Sequence, residues 1–590
     1  MKQFLITVAG VFIGLALFLI GVPLLLVVIL TAAARPADLT GRNVLVLDLR
    51  AGLSDQDAIS PLALFSGKTL SVLGVEQTLH RAQADDRVSG LLVRLPEGGV
   101  PPAAADELRG AFLRFRASGK PILAYSQGLY AAGTVSSTYE LAAAAGDIWM
   151  QPASEFQVTG LSRQDIFFKR FFDRHGVKAD YQQRYEFKTA VNPYLYSDYT
   201  PAHRASELSW MGSVYETTLA AAAADRRRPA GLLKATLEAG PYSAEAALAK
   251  GLIDRVGDLD AARKALLAKA GDGAKFILFR DYAARRGEAD GGGARLAVIS
   301  AEGNILTGEG GGPRGLGGGS AIRSDDVAKA FQAAIDDTDV KAIVFRISSP
   351  GGSDTASEQI LSAVRAARAA GKPVVVSMGT YGASGGYWIA SQASEIIAQP
   401  TTLTGSIGVF GGKFALGEAL AKFGVDMRGV KVGGDYADAL GNADAMSPGQ
   451  RAAFSAWMDR IYGGFIGRVA EGRHLSQARV RDIAKGRVWT GAQAKALGLV
   501  DGLGGFYDAV DRAKALAGIK GPAHLESFDV EPSPFEAVRR MLGASARGVH
   551  LMLGAADIAG APEAQALTDA IGDAQLRSQG ATVLAPRLLR

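Results

Sequence analysis

The sequence predicts an α/β protein built from two tandem duplicated domains with parallel sheets, preceded by one N-terminal transmembrane helix. Three observations carry this. The chain repeats itself at long range, each copy alternates short apolar runs with amphipathic stretches, and the first residues form a long uncharged run.

The repeat is read segment by segment. DVKAIVFRI (339–347) answers DRVSGLLVRL (86–95), and each is followed by a Gly-Gly loop, an amphipathic stretch and a Gly-Lys-Pro step. GKPVVV (371–376) answers GKPILA (119–124), SEIIAQP (394–400) answers GDIWMQP (146–152), and TGAQAKALGLVDGLG (490–504) answers SAEAALAKGLIDRVG (243–257). A period of about 250 residues makes each copy a whole domain and not a solenoid unit. Within a copy, apolar runs such as AIVFRI (342–347) and PVVVS (373–377) alternate with longer amphipathic segments (357–370 and 386–394). Continuous apolar strands alternating with helices imply a parallel sheet covered on both faces. Such sheets carry their sites at the carboxyl ends of the strands.

After Met1-Lys2-Gln3 an uncharged run extends from residue 4 to residue 34 and is closed by Arg35. A spanning helix needs about 20 apolar residues. The apolar core of a cleaved secretory signal has about 7–15. Residues 1–35 are therefore expected to be an uncleaved membrane anchor, against the alternative of a signal cut near Ala32-Ala33-Ala34. Lys2 and Arg35 nearly balance the positive-inside rule. An inside N-terminus is favoured, because a first hydrophobic segment often acts as an export signal. The first domain is expected over 42–270, opening on the strand NVLVLDL (43–49), and RRGEADGGGA (285–294) reads as a linker. The second domain is expected over 295–517, opening on LAVIS (296–300). GEGGGPRGLGGG (308–319) is a loop, either a flap over a cleft or a plain connector. Beyond 517 the pattern decays, and 518–590 is set apart as a C-terminal extension.

Composition narrows the function. Lys and Arg number 64 against 59 Asp and Glu, a net charge of +5 in 590 residues. That balance lacks the dense basic patch of a nucleic-acid binder, so no nucleic-acid partner is expected. The absence of cysteine excludes a thiol nucleophile, disulfides and thiolate metal sites. Six histidines (His80, His175, His203, His474, His524, His550) show no ligand-like spacing, so no metal or other cofactor is expected.

Two loops of the second copy fall at strand ends: Ser348-Ser349-Pro350-Gly351-Gly352-Ser353 and Gly382-Ala383-Ser384-Gly385-Gly386. Ser384 lies where a helix should begin, between small residues that allow a sharp turn. The amides of Gly385 and Gly352 can then form an oxyanion hole for acyl transfer. The alternative is a helix packed closely on a sheet. A serine nucleophile needs a base. No histidine lies near these loops in sequence, and His175 and His203 sit in polar stretches that read as exposed surface. A lysine serves if burial lowers its pKa.

Comparison of the copies supplies one. Lys188 lies among apolar residues in YEFKTAVNP (185–193), whereas the second copy has Asp435 or Tyr436 at the matching place. Conversely, Ala132 or Ser136 of the first copy aligns with Ser384, with no Gly-Gly after it. One copy has the serine and its amide loops, the other the lysine. A snorkelling surface lysine is the alternative for Lys188.

SPGGS (349–353), ASGGYWIAS (383–391) and FKTAVNP (187–193) together resemble the signature loops of signal peptide peptidase A, also called protease IV, in its long tandem-domain bacterial type. The resemblance spans about 43–517 and the anchor. It implies ClpP/crotonase-like domains and a Ser-Lys dyad, with Ser384 as nucleophile, Lys188 as general base, and Gly385 and Gly352 as oxyanion donors. It further implies cleavage of remnant signal peptides and short apolar peptides, a bowl-shaped homotetramer, and a bacterial inner-membrane location with catalytic domains on the periplasmic side. The rival classes are a crotonase-type acyl-CoA enzyme and a non-catalytic membrane scaffold.

Overall fold

The computed structural model describes residues 39–56, 70–284, 293–310 and 321–529, together with the backbone of 581–584. The expected anchor, most of the linker and most of the C-terminal extension lie outside the described residues. Among those described, no helix is long and apolar enough to cross a membrane.

Two sheets dominate. The first has the strand order Arg255–Val256, Ile148–Met150, Ile122–Ser126, Val88–Arg94, Asn43–Asp48, Lys275–Leu278, every pairing parallel. In the second, Val374–Ala383, Val340–Ser349, Ala294–Glu302 and Ala523–Ser527 run side by side and parallel. Glu395–Ala398 and then Gly502–Leu503 continue it beyond Val374–Ala383. Strand for strand, this is the order of the first sheet, so the repeat in the sequence is a repeat of topology. Both units add a short antiparallel pair at the same place: in the first, Glu155–Phe156 pairs with Tyr242–Ser243 and meets the chain after Ile122–Ser126 through the parallel bridge from Leu129 to Phe156, and the second has its counterpart. Leu403–Gly405 pairs with the end of Val374–Ala383, and the antiparallel strand Val488–Thr490 pairs with it in turn. Each unit also runs past its sequence-based limit, because the edge strands Lys275–Leu278 and Ala523–Ser527 lie beyond residues 270 and 517.

The strands form because both of their faces are covered. In Val340–Ser349 every residue but Lys341 is buried. Alternation sends Ile343, Phe345 and Ile347 to one face, with Ile299, Val376 and Met378, beneath a helical layer that includes Ile360, Leu361 and Val364. Ala342 and Val344 go to the other face, with Leu296, Val298 and Val375, under Phe506, Val510 and Ala513. Each of the larger of these side chains, fully buried, contributes about 1.5–3 kcal/mol. The helix Asp354–Ala369 starts where Ser353 Oγ accepts the Ala356 amide.

The two units interlock. Leu73 of the first unit enters the second apolar layer of the other. Strand Lys178–Arg184 leaves its own unit and pairs antiparallel with Val409–Ala415 of the second, from Val409 opposite Arg184 to Ala415 opposite Lys178. Asp180 anchors this ribbon by accepting the Met446 amide and pairing with Arg451. Ala581–Leu584 lies antiparallel to Gly351–Ser353.

Candidate active site

Strand Val374–Ala383 ends at Ser384, which precedes the short helix Gly385–Ala390. Ser384 adopts φ 55° and ψ −117°. A non-glycine residue held there costs of order 1–3 kcal/mol, so its surroundings must hold it. They do: the Ser384 amide donates to Gly405 O at 2.8 Å, and the Trp388 amide donates to Ser384 O at 2.8 Å. The turn leaves the side chain inside the protein, with the residue 0% exposed.

Lys188 arrives from the other unit. The interlocking ribbon ends at Arg184, the chain turns through Tyr185-Glu186-Phe187, and the Lys188 amide donates to Tyr185 O at 3.1 Å. A 3₁₀ turn, Thr189–Val191, comes at once. Lys188 is wholly buried, and its Nζ contacts Ser384 Oγ at 2.8 Å, Ser406 Oγ at 2.9 Å and the Ser406 carbonyl at 2.9 Å. No carboxylate is among these partners. Burial alone holds the amine well below the ordinary lysine range. The snorkelling alternative does not describe this residue.

Gly385 and Gly352 come together beside the serine. A Cβ added to Gly385 would stand 3.0 Å from Gly352 N. The Gly385 amide, at the first position of its helix, has no intrahelical acceptor. Gly352 lies on the strand Gly351–Ser353, level with Ile305 on one side and with Val583 on the other.

Two contributors were not legible from sequence. Ser406 supplies both remaining acceptors to Lys188, and its own amide donates to Arg487 O at 2.8 Å. Its signal was faint, a lone Gly-Ser step within TTLTGSIGVF (401–410). Gly486, at φ +81°, presses on the lysine; a Cβ there would fall 2.5 Å from Lys188 Cβ.

Other expectations are corrected. His203 is not exposed; it is 3% exposed, and burial lowers its pKa to about 4. His175 is half-buried against Phe171. Neither is among the hydrogen-bond partners of Lys188 or Ser384. Of the two first-unit positions aligned with Ser384, the structure favours Ser136 over Ala132: Tyr139, three residues on, donates to Leu252 O at 3.0 Å as Tyr387 donates to Leu499 O at 2.7 Å, and Ser136 lies inside the helix Val135–Ala145, whereas Ser384 precedes its own. Asp435 and Tyr436 lie in an exposed 3₁₀ turn.

A buried serine at a strand-to-helix turn, an amine in contact with it and two adjoining amides make up the equipment of a serine hydrolase in which lysine stands where histidine is commoner. The description Peptidase family S49 matches residues 114–271 and 366–520, one stretch in each unit. The chain is 33% identical over 539 residues to Protease 4 of Salmonella typhi, spanning 86% of this chain and 84% of that protein. Protease 4 of Haemophilus influenzae is 32% identical over 545 residues, spanning 87% and 86%. The chloroplastic serine protease SPPA of Arabidopsis thaliana is 27% identical over 487 residues, spanning 81% and 69%. The chain belongs to peptidase family S49 and is a serine peptidase with two family units in tandem.

Proposed function

We propose that this serine peptidase works through a Ser384–Lys188 dyad, with Gly385 and Gly352 as oxyanion donors. One observation carries the reading: the 2.8 Å contact between the buried Lys188 Nζ and Ser384 Oγ, where no carboxylate among the described residues pairs with the amine.

The hydrogen-bond inventory of the site fits a neutral amine. A neutral Lys188 has two N–H donors and one lone pair. The donors go to the Ser406 carbonyl and Ser406 Oγ, and the lone pair is left for the Ser384 hydroxyl proton. Lys188 takes that proton as Ser384 Oγ attacks the peptide carbonyl carbon. The amides of Gly385 and Gly352 hold the oxyanion, a contribution commonly worth about 3–4 kcal/mol per donor. The new ammonium passes its proton to the departing amine. Lys188 then deprotonates the water that hydrolyses the acyl-serine ester.

The substrates in this reading are remnant signal peptides and short apolar peptides. An extended peptide would lie along Gly351–Ser353, the edge that Ala581–Leu584 takes in this structure. The units are of the ClpP/crotonase type, and the enzyme is a homotetramer. Residues 1–35 anchor it in a bacterial inner membrane with its catalytic units on the periplasmic side; the uncharged run from residue 4 to 34 supports this placement. Family membership sets aside the acyl-CoA and scaffold readings.

The test is hydrolysis of a fluorogenic peptide by the wild type, Ser384→Ala and Lys188→Ala. Both variants are expected to lose activity while keeping the wild-type circular dichroism. Undiminished hydrolysis by either one rules the dyad out.

A further inference from the structure

The strand that delivers Ser384 is irregular, and the irregularity has a support. Val374–Ala383 pairs with Val340–Ser349 in register from Ile343 opposite Val374 to Ile347 opposite Met378, and pairing resumes at Ser349 opposite Gly382. Between these points Gly379, Thr380 and Tyr381 face Ser348 alone. Extra residues on one strand make a bulge, which bends the strand and re-aims the residues beyond it. Ser384 lies just beyond the bulge on one strand, and Gly351-Gly352 on the other.

Against this bulge lies a buried ionic cluster that the proposed chemistry leaves unused. Arg346 is 0% exposed, and all five of its N–H donors are satisfied. Nε and Nη2 donate to the two Asp55 oxygens at 3.0 and 2.7 Å. Nη1 and Nη2 donate to the two Glu107 oxygens at 3.1 and 2.7 Å, and Nη1 also donates to Ser377 Oγ at 2.9 Å. Asp55 and Glu107 belong to the first unit; Arg346 and Ser377 sit on the two strands that carry the site loops. Asp55 reaches the bulge itself, since a Cβ added to Gly379 would fall 2.0 Å from Asp55 Oδ1. The far side of Gly379 is held by Thr402 Oγ1, which donates to its carbonyl at 2.7 Å. Asp55 is fixed in turn, because its amide and that of Gln56 donate to the Glu302 carboxylate at 3.0 Å each.

Stability alone is a weak account of such a cluster, because apolar replacements of buried ion pairs are often as stable. Fixed geometry is what it supplies. We propose that Asp55, clamped by Arg346, is a positioning residue for catalysis: the first unit's carboxylate holds the 379–381 bulge and so aims Ser384 at Lys188 and the oxyanion amides. This rests on the dyad reading. The first unit then contributes twice, as the source of the base and as the support beneath the nucleophile.

The experiment compares Asp55→Asn, which keeps the shape and loses the charge, with Gly379→Ala, which pushes on the carboxylate without removing it. Glu107→Gln, on the same guanidinium but not among the atoms nearest Gly379, is the reference. Readouts are kcat and KM on a fluorogenic peptide, the rate of fluorophosphonate labelling of Ser384, its pH profile, and melting temperature. Asp55→Asn and Gly379→Ala are expected to lower kcat and labelling about tenfold or more, given the sensitivity of catalysis to small misplacements. KM stays within about twofold, and the pH midpoint, which belongs to Lys188, does not move. Glu107→Gln lowers the melting temperature and keeps kcat within about twofold. In an Asp55→Ala background, Gly379→Ala has no carboxylate to displace and adds less than about twofold. Folded Asp55→Asn and Gly379→Ala with wild-type kcat overturn the proposal, as does a loss that merely tracks the unfolded fraction. If the wild type itself neither cleaves nor labels, the dyad reading fails instead.

Discussion

Lys188 and Ser384 stand 196 residues apart in the chain and 2.8 Å apart in space, the amine from one unit and the hydroxyl from the other. In the proposed dyad neither unit alone holds a complete site. The Lys178–Arg184 strand, which crosses over to pair with Val409–Ala415, leads the chain to Lys188 beside Ser384.

Ser406 is expected to hold the amine in line. Ser406→Ala removes one of its two acceptors and leaves the carbonyl, a loss of about 1 kcal/mol. Peptide kinetics should show kcat lower by about five- to tenfold at unchanged KM. A change in KM alone would place Ser406 in substrate binding.

Burying Lys188 has a cost that depends on pH. The unfolded chain keeps this proton up to the ordinary lysine value of about 10.4, whereas the folded protein releases it far lower. Between those points the unfolded state binds more protons, so stability rises with pH. Lys188→Met is expected to melt higher than the wild type at pH 7, with the gap narrowing toward pH 10. Thermal melts across that range check it.

Glu76 works in the opposite sense. It pairs with Arg114, yet its Oε2 is buried without a hydrogen-bond partner among the described residues, and burial outweighs the pairing and pushes its pKa to about 8. The folded state then binds the extra proton from about pH 4.5 to 8, and stability drains away as pH rises through that window. Glu76→Gln should flatten the fall in melting temperature between pH 5 and pH 8. An unchanged slope assigns the dependence to other groups.

Ala581–Leu584 takes the edge of Gly351–Ser353 along which the proposed function lays an extended substrate. A chain ending at Asp529 is therefore expected to show a KM lower by about threefold or more at unchanged kcat. A synthetic peptide of residues 578–587 added to it should raise KM again. Identical KM values for the full and shortened chains contradict this.

The sequence carried the architecture because duplication doubled every signal. GKPVVV and GKPILA each mark a strand, and their equivalence marks the two units as copies of one α/β domain. Ser384 was visible because glycines crowd it, and Lys188 because the second copy lacks a lysine there. Ser406, Gly486 and the Arg346–Asp55 clamp were not visible, since their roles arise from packing across more than 200 residues of chain. His203 was misread because its polar neighbours Asp165, Tyr199 and Glu207 gather around it inside the protein.

The pH dependence of fluorophosphonate labelling of Ser384, in the wild type and in Lys188→Met, tests the dyad most directly. The wild-type rate is expected to climb through a single ionisation well below the ordinary lysine value and level off by mildly alkaline pH, with Lys188→Met at least about 100-fold slower across the range. Labelling of Lys188→Met at the wild-type rate, or a wild-type rate still rising beyond pH 10, would contradict it.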